Sequence, residues 1–169
     1  MNKKSVYLFL ALLLPGIIFV FLKYFGKNEF AIPVHYQNGI DSVSVICGGD
    51  YAKPYALPDS VLVAIGAGKK QARVIVFDPN EASKTELRRL SDIFNSEEFT
   101  QAEIILQQAD SGISVARYTR WTTCVFFIKK PYNVVLVDAD DRIRGYYAVD
   151  RREEMDRLIL EMQILLKKY

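Results

Sequence analysis

The sequence predicts an α/β domain behind one N-terminal transmembrane helix. Three observations carry this. Residues 134–147 read Val-Val-Leu-Val-Asp-Ala-Asp-Asp-Arg-Ile-Arg-Gly-Tyr-Tyr, an apolar strand, an acidic turn and a second strand. Apolar Met155, Leu158, Ile159, Met162, Leu165 and Leu166 then recur at helical spacing to the end of the chain at Tyr169. At the other end, residues 6–22 contain no charged side chain.

Composition bounds the answer. A chain of 169 residues accommodates one modest domain plus a membrane segment, and not two full domains. Half of it is apolar and a quarter charged, the profile of a folded protein. Twenty-two basic residues against twenty acidic ones give a net charge of +2. The basic pairs Lys69–Lys70, Lys129–Lys130 and Lys167–Lys168 are scattered as solvated turns and a helix end, so nucleic acid is not an expected partner.

Residues 1–5 form a short tail and 6–25 the anchor, with Lys23 as its only charge. Twenty helical residues span roughly 30 Å, the thickness of a bilayer core. Lys23 can reach the headgroups, and a bilayer-embedded helix tolerates Pro15-Gly16. The run exits into Leu22-Lys-Tyr-Phe-Gly26, with no small-residue cleavage site, so it is expected to stay attached. Lys3, Lys4 and the amino terminus oppose Lys23 and Lys27, which slightly favours the tail inside and the domain outside.

Residues 26–60 read as a juxtamembrane segment rich in Pro and Gly, with a short strand at 43–46 and an extended Pro54-Tyr-Ala-Leu-Pro58. The domain proper runs from 61 to 169. Residues 61–65 and 73–77 read as strands joined through Gly66-Ala-Gly-Lys-Lys70 as a hairpin turn. A phosphate-loop reading fails there, because the glycine spacing is wrong and a strand follows where a helix is needed. Ser83-x-x-Glu86 predicts a capping box, opening a helix with Leu87, Leu90 and Phe94 on one face to about Asn95. A strand at 102–107 then completes a parallel βαβ pair. A short helix within 110–122, a β-rich stretch at 124–128, the 134–147 hairpin and a final helix capped by Asp150 finish the chain. This βαβ, α, ββ, α order is the thioredoxin-like arrangement with a compressed middle.

The Pro54-Tyr-Ala-Leu-Pro-Asp59 entry, the anchor and the closing hairpin and helix resemble the SCO/SenC family. These are membrane-anchored, thioredoxin-like proteins of copper delivery to cytochrome c oxidase. The resemblance implies a bacterial inner-membrane protein whose domain faces the periplasm and works with a respiratory-chain assembly partner. It also implies a Cys-x-x-x-Cys pair after the first strand of the βαβ unit and a His near the later hairpin. Here the matching stretch is Phe77-Asp-Pro-Asn-Glu-Ala-Ser83, without a thiol, and the only histidine is His35.

The two cysteines, Cys47 and Cys124, are far apart in sequence. Three readings stand: a structural disulfide, which an even count in an exported domain favours; two separate buried thiols; or a soft-metal site for Cu(I). Asp138, Asp140 and Asp141 begin like a calcium loop, but lack its later Gly and closing Glu, so a turn is expected. Asp78-Pro79-Asn80 lies at the C-terminal end of a strand, where α/β folds place sites. Tyr118, Trp121, Tyr146 and Tyr147 form either a recognition face or core packing. A lone His excludes a Ser/His/Asp set. With the family's ligands missing, the resemblance implies a non-enzymatic role: oxidase assembly or partner binding without cofactor. A divergent copper chaperone using non-standard ligands is the alternative, and a thiol–disulfide oxidoreductase a more distant one.

Overall fold

The computed structural model describes residues 3–25, 31–40, 47–48, 51–105 and 114–167. It divides into two compact units, one ending at Ala31 and one beginning at Ile32. The first carries helix α1, Lys3–Phe25, with Pro15 inside it. Among the described residues, no helix is long and apolar enough to cross a membrane. Several side chains of α1 fall outside that description.

The second unit holds α2 (Asp59–Ala64), β1 (Ala72–Phe77), α3 (Glu81–Ile93), β2 (Phe99–Ile104), α4 (Val115–Cys124), β3 (Val134–Asp138), β4 (Ile143–Tyr147) and α5 (Arg152–Leu165). The four strands form one mixed sheet in the order β2-β1-β3-β4. The pair β1 and β2 is parallel, from Ala72↔Phe99 to Phe77↔Ile104, as a helical crossover requires. β3 runs antiparallel to both β1 and β4. β1 is buried along its whole length, as a central strand covered on both faces should be.

Alternate residues along the strands feed two cores. Val74, Val76, Leu136 and Tyr147 meet Leu87 and Leu90 of α3 and Met155, Leu158 and Met162 of α5. Each such fully buried side chain stabilises the fold by roughly 1.5–3 kcal/mol. On the opposite face, Ile75, Phe77, Val135 and Ile143 meet Trp121 of α4, Val61 and Leu62 of α2, and Ile40, Tyr55 and Leu57. The Pro/Gly segment therefore contributes core side chains rather than merely linking. Its backbone also covers the outer edge of β4, where the His35 N–H donates to the Ile143 carbonyl at 2.9 Å.

Several sequence expectations are corrected. Residues 61–64 are helical, not a strand, and Ile65 caps the helix. Pro58 leads into the first turn, where Asp59 suits the positive end of the helix. Gly66, at φ 70°, then stops α2. The Gly66 N–H bonds to the Val63 carbonyl and the Ala67 N–H to the Leu62 carbonyl, a Schellman stop. The glycine-rich stretch is thus a helix end, not a hairpin turn. Helix α3 starts at Glu81 because Asn80 is its cap: the Asn80 side chain accepts from the Ser83 N–H at 2.7 Å. Ser83 is instead buried in the first turn, and Glu86 pairs with Arg89 at 2.8 Å. Cys124 closes α4, and residues 125–128 form a turn rather than a strand. Arg151, without a side-chain cap bond, precedes α5 in place of Asp150. β2 begins at Phe99 and ends at Ile104. The strand expected at 43–46 lies outside the described residues.

Candidate functional site

A cleft of about 660 Å³ opens where β1 ends and α3 begins. Asp78 and Asn80 form one side, Tyr118 and Thr122 of α4 another, and the turn from Ile128 to Asn133 a third. The backbone explains why it is there. Asp78 takes left-handed geometry at φ 44°, and its N–H donates to the Ile104 carbonyl at 3.0 Å. That turns the chain sharply out of β1, so α3 starts clear of the sheet. Asp and Asn adopt this conformation more readily than most residues. The Asp78 carboxylate accepts from the Tyr118 hydroxyl; burial first, then this bond, raises the Tyr118 phenol above its ordinary range. Lys129, Lys130 and Tyr132 are exposed at the rim.

Asn133 holds the cleft together. Its side-chain amide donates to Ser83 Oγ at 3.1 Å and accepts from the Val149 N–H at 3.0 Å. Its backbone accepts from the Phe77 N–H at 2.8 Å and donates to Tyr147 at 2.9 Å. One residue therefore ties β1, α3, β4 and the segment between β4 and α5. Sequence reasoning missed it, since its partners come from four separate segments. The one local hint was its place just ahead of an apolar strand.

Behind α4 the structure joins Cys47 to Cys124, with Cα atoms 5.6 Å apart, inside the range a disulfide spans. Three tyrosines reinforce this end. Tyr51, Tyr55 and Tyr146 donate their hydroxyls to the successive carbonyls of Cys124, Val125 and Phe126, at 3.0, 2.8 and 2.7 Å. Carbonyls at a helix C-terminus lack intrahelical partners, so these bonds satisfy them. The next residue, Phe127, stands at φ 51°. A bulky residue there is held at a cost of roughly 1–3 kcal/mol. The rings of Tyr36, Tyr55 and Tyr51 pack edge-on against Phe127 at 5.0, 5.1 and 5.5 Å, and such pairs offset strain of that size.

The other candidates resolve into structure. Trp121 and Tyr147 are buried in opposite cores, while Tyr118 and Tyr146 are half-buried, so the four share no recognition face. Asp138 is buried at the hairpin. Its carboxylate accepts from the N–H groups of Asp140 and Arg142, both at 2.9 Å, and from Arg142 Nε at 3.1 Å and Arg144 Nε at 2.6 Å. Asp140 pairs with Arg142 and Asp141 with Arg73. Arginine side chains neutralise this cluster. Arg73, 1% exposed in mid-sheet, had read as an ordinary strand residue.

Among the described residues, no three His, Cys, Asp or Glu side chains are placed to hold a metal ion. His35 packs edge-on against Tyr146 at 5.2 Å. Its imidazole is held below its ordinary pKa, chiefly by burial. With both sulfurs bonded to each other, Cys47 and Cys124 do not fit a Cu(I) thiolate site. No protein-family model matches the chain, and no curated protein is significantly similar to it.

Proposed function

We propose that this is a membrane-anchored, thioredoxin-like binding protein. In this reading it is a divergent relative of SCO/SenC assembly factors that serves respiratory oxidase assembly without the family's copper and redox site. The observation carrying the reading is the β1–α3 junction. The fold's reactive thiols belong there, and this chain instead has Asp78, Pro79 and a capping Asn80 beside an open cleft. The strand order β2-β1-β3-β4, with β3 reversed, supports the thioredoxin-like assignment. The uncharged run at residues 6–22, within a helix of 23 residues, supports the anchor. A bacterial inner-membrane location with a periplasmic domain follows from that run and from the resemblance.

The test has two arms. Deleting the gene in its host should lower the amount of assembled haem–copper oxidase. The full chain should restore it, and the cleft-rim variant Lys130→Glu/Tyr132→Ala should not. Unchanged oxidase in the deletion strain would remove the assembly role. In the second arm, detergent-solubilised full chain loaded with Cu(I) should surrender it to a competing chelator. Stoichiometric retention that disappears in Cys124→Ser would instead establish a copper chaperone using non-standard ligands.

A further inference from the structure

We propose that the Cys47–Cys124 bond is a redox-operated latch on the wall of the cleft. The inference goes beyond partner binding and stands whether or not the partner belongs to oxidase assembly. It rests on the position of Cys124. Cys124 is the last residue of α4, the helix that presents Tyr118 and Thr122 to the cleft. Immediately after it, the Val125 and Phe126 N–H groups bond to the Trp121 carbonyl at 3.1 and 2.8 Å. The Ile128 N–H bonds to the Thr122 carbonyl at 2.9 Å. Ile128 to Asn133 then form the opposite cleft wall. A change at Cys124 therefore acts on two walls at once.

Cys47 connects that point to the entry segment. Tyr51, four residues on, caps Cys124 and packs on Phe127, and Tyr55 caps Val125 and packs on the same ring. The left-handed Phe127 conformation depends on these rings from outside the turn. While the bond is closed, Tyr51 is held beside its carbonyl at a high effective concentration. When it is open, that restraint is gone and the strained turn can relax. Both cysteines are half-buried rather than sealed in a core, so a dithiol can reach them.

The reaction is thiol–disulfide exchange with a dithiol reductant. A thiolate of the reductant attacks one sulfur, forming a mixed disulfide and releasing the other cysteine as thiolate. The second thiol of the reductant displaces the remaining cysteine. Two electrons pass to the protein, two protons complete the Cys47 and Cys124 thiols, and the reductant leaves as a disulfide.

Amide hydrogen exchange on the full chain in detergent tests this, comparing oxidised protein with protein reduced by dithiothreitol. The amides of Tyr55, Val125, Phe126 and Ile128 should exchange about tenfold faster or more after reduction, reporting a local opening. Val76, Leu136 and Leu158, inside β1, β3 and α5, should be unaffected, and reoxidation should restore the original rates. Cys124→Ser should show the reduced pattern without any reductant. Unchanged exchange in the first group overturns the latch. So does faster exchange in both groups, which would make the bond a staple for the whole domain. A bond that dithiothreitol fails to open in the folded chain overturns it too.

Discussion

At Asp138, four N–H donors converge on one carboxylate that is almost wholly out of water. Burial alone would raise its pKa, but the bonds from Arg142 and Arg144 win and hold it below the ordinary carboxylate value. A depressed folded pKa stabilises the fold fully above the unfolded value near ~4, and the contribution disappears as pH falls through the lower folded value. Asp138→Ala leaves the half-buried Arg142 and Arg144 and two backbone N–H groups without their acceptor and should cost about 1–3 kcal/mol near neutrality. Asp138→Asn keeps the shape without the charge. Its deficit against the native chain, measured by denaturant titration, should shrink between pH 7 and pH 3; a deficit that stays constant would mean the charge is not what counts. Gly145 makes a steric rather than an electrostatic demand. A Cβ there would lie 2.6 Å from Cζ of Tyr147, a ring with no freedom to withdraw. Tyr147 is fully buried, donates to Glu161 at 2.5 Å and lies under the Arg157 guanidinium at 4.6 Å. Gly145→Ala should therefore destabilise by about 1–3 kcal/mol. A melting temperature equal to the native one would show that the ring can move after all.

At the scale of elements, legibility depended on whether the signal was local. The hairpin at residues 134–147 was readable because its determinants sit inside it: alternation, the acidic turn, and Asp141 tolerating φ 63° at the end of the loop. The βαβ crossover was readable from order alone. Helix α2 was misread because Val61, Val63 and Ile65 are β-branched and look like a strand. Over six residues that propensity is weak, and Pro58 at the start with Gly66 at the stop outweighed it. The cap of α3 was misplaced by three residues because Ser83-x-x-Glu86 matches a known pattern, while Asn80 satisfies the same need one turn earlier. Of the candidate site, Asp78-Pro79-Asn80 was legible as a strand-end site and Tyr118 as one of four candidate aromatics. The tyrosine hydroxyls on three successive carbonyls, Asn133 and buried Arg73 all arise from contacts distant in sequence, which no local pattern encodes. The cap assignment is directly testable. Asn80→Ala should cost about 1 kcal/mol, and Glu86→Ala, losing only a surface pair with Arg89, about half that or less. Equal losses from chemical denaturation would restore Ser83 and Glu86 as the cap.

For the whole molecule, the proposed anchor and the cysteine pair make one joint prediction about the compartment the domain occupies. The proposed anchor rests on residues 6–22, which carry no charge and lie within the 23 residues of α1. The flanking charges, Lys3, Lys4 and the amino terminus against Lys23 and Lys27, favour the tail inside by a small margin. A margin that small would decide little alone. The cysteines add a second consideration, because in the proposed orientation the bond that closes a separation of 77 residues would lie in an oxidising compartment, where disulfides persist. The two lines meet in one experiment. A reporter active only in the oxidising compartment, fused after Tyr169, should be active, and the chain should fractionate with membranes at full length. Thiol alkylation of the same cells under denaturing, unreduced conditions should label neither cysteine. A reporter active only in the cytoplasm, together with two alkylated cysteines, would reverse the orientation and open the bond in a single result. A soluble product lacking the first twenty-odd residues would show instead that the run is a cleaved leader and that the domain is released.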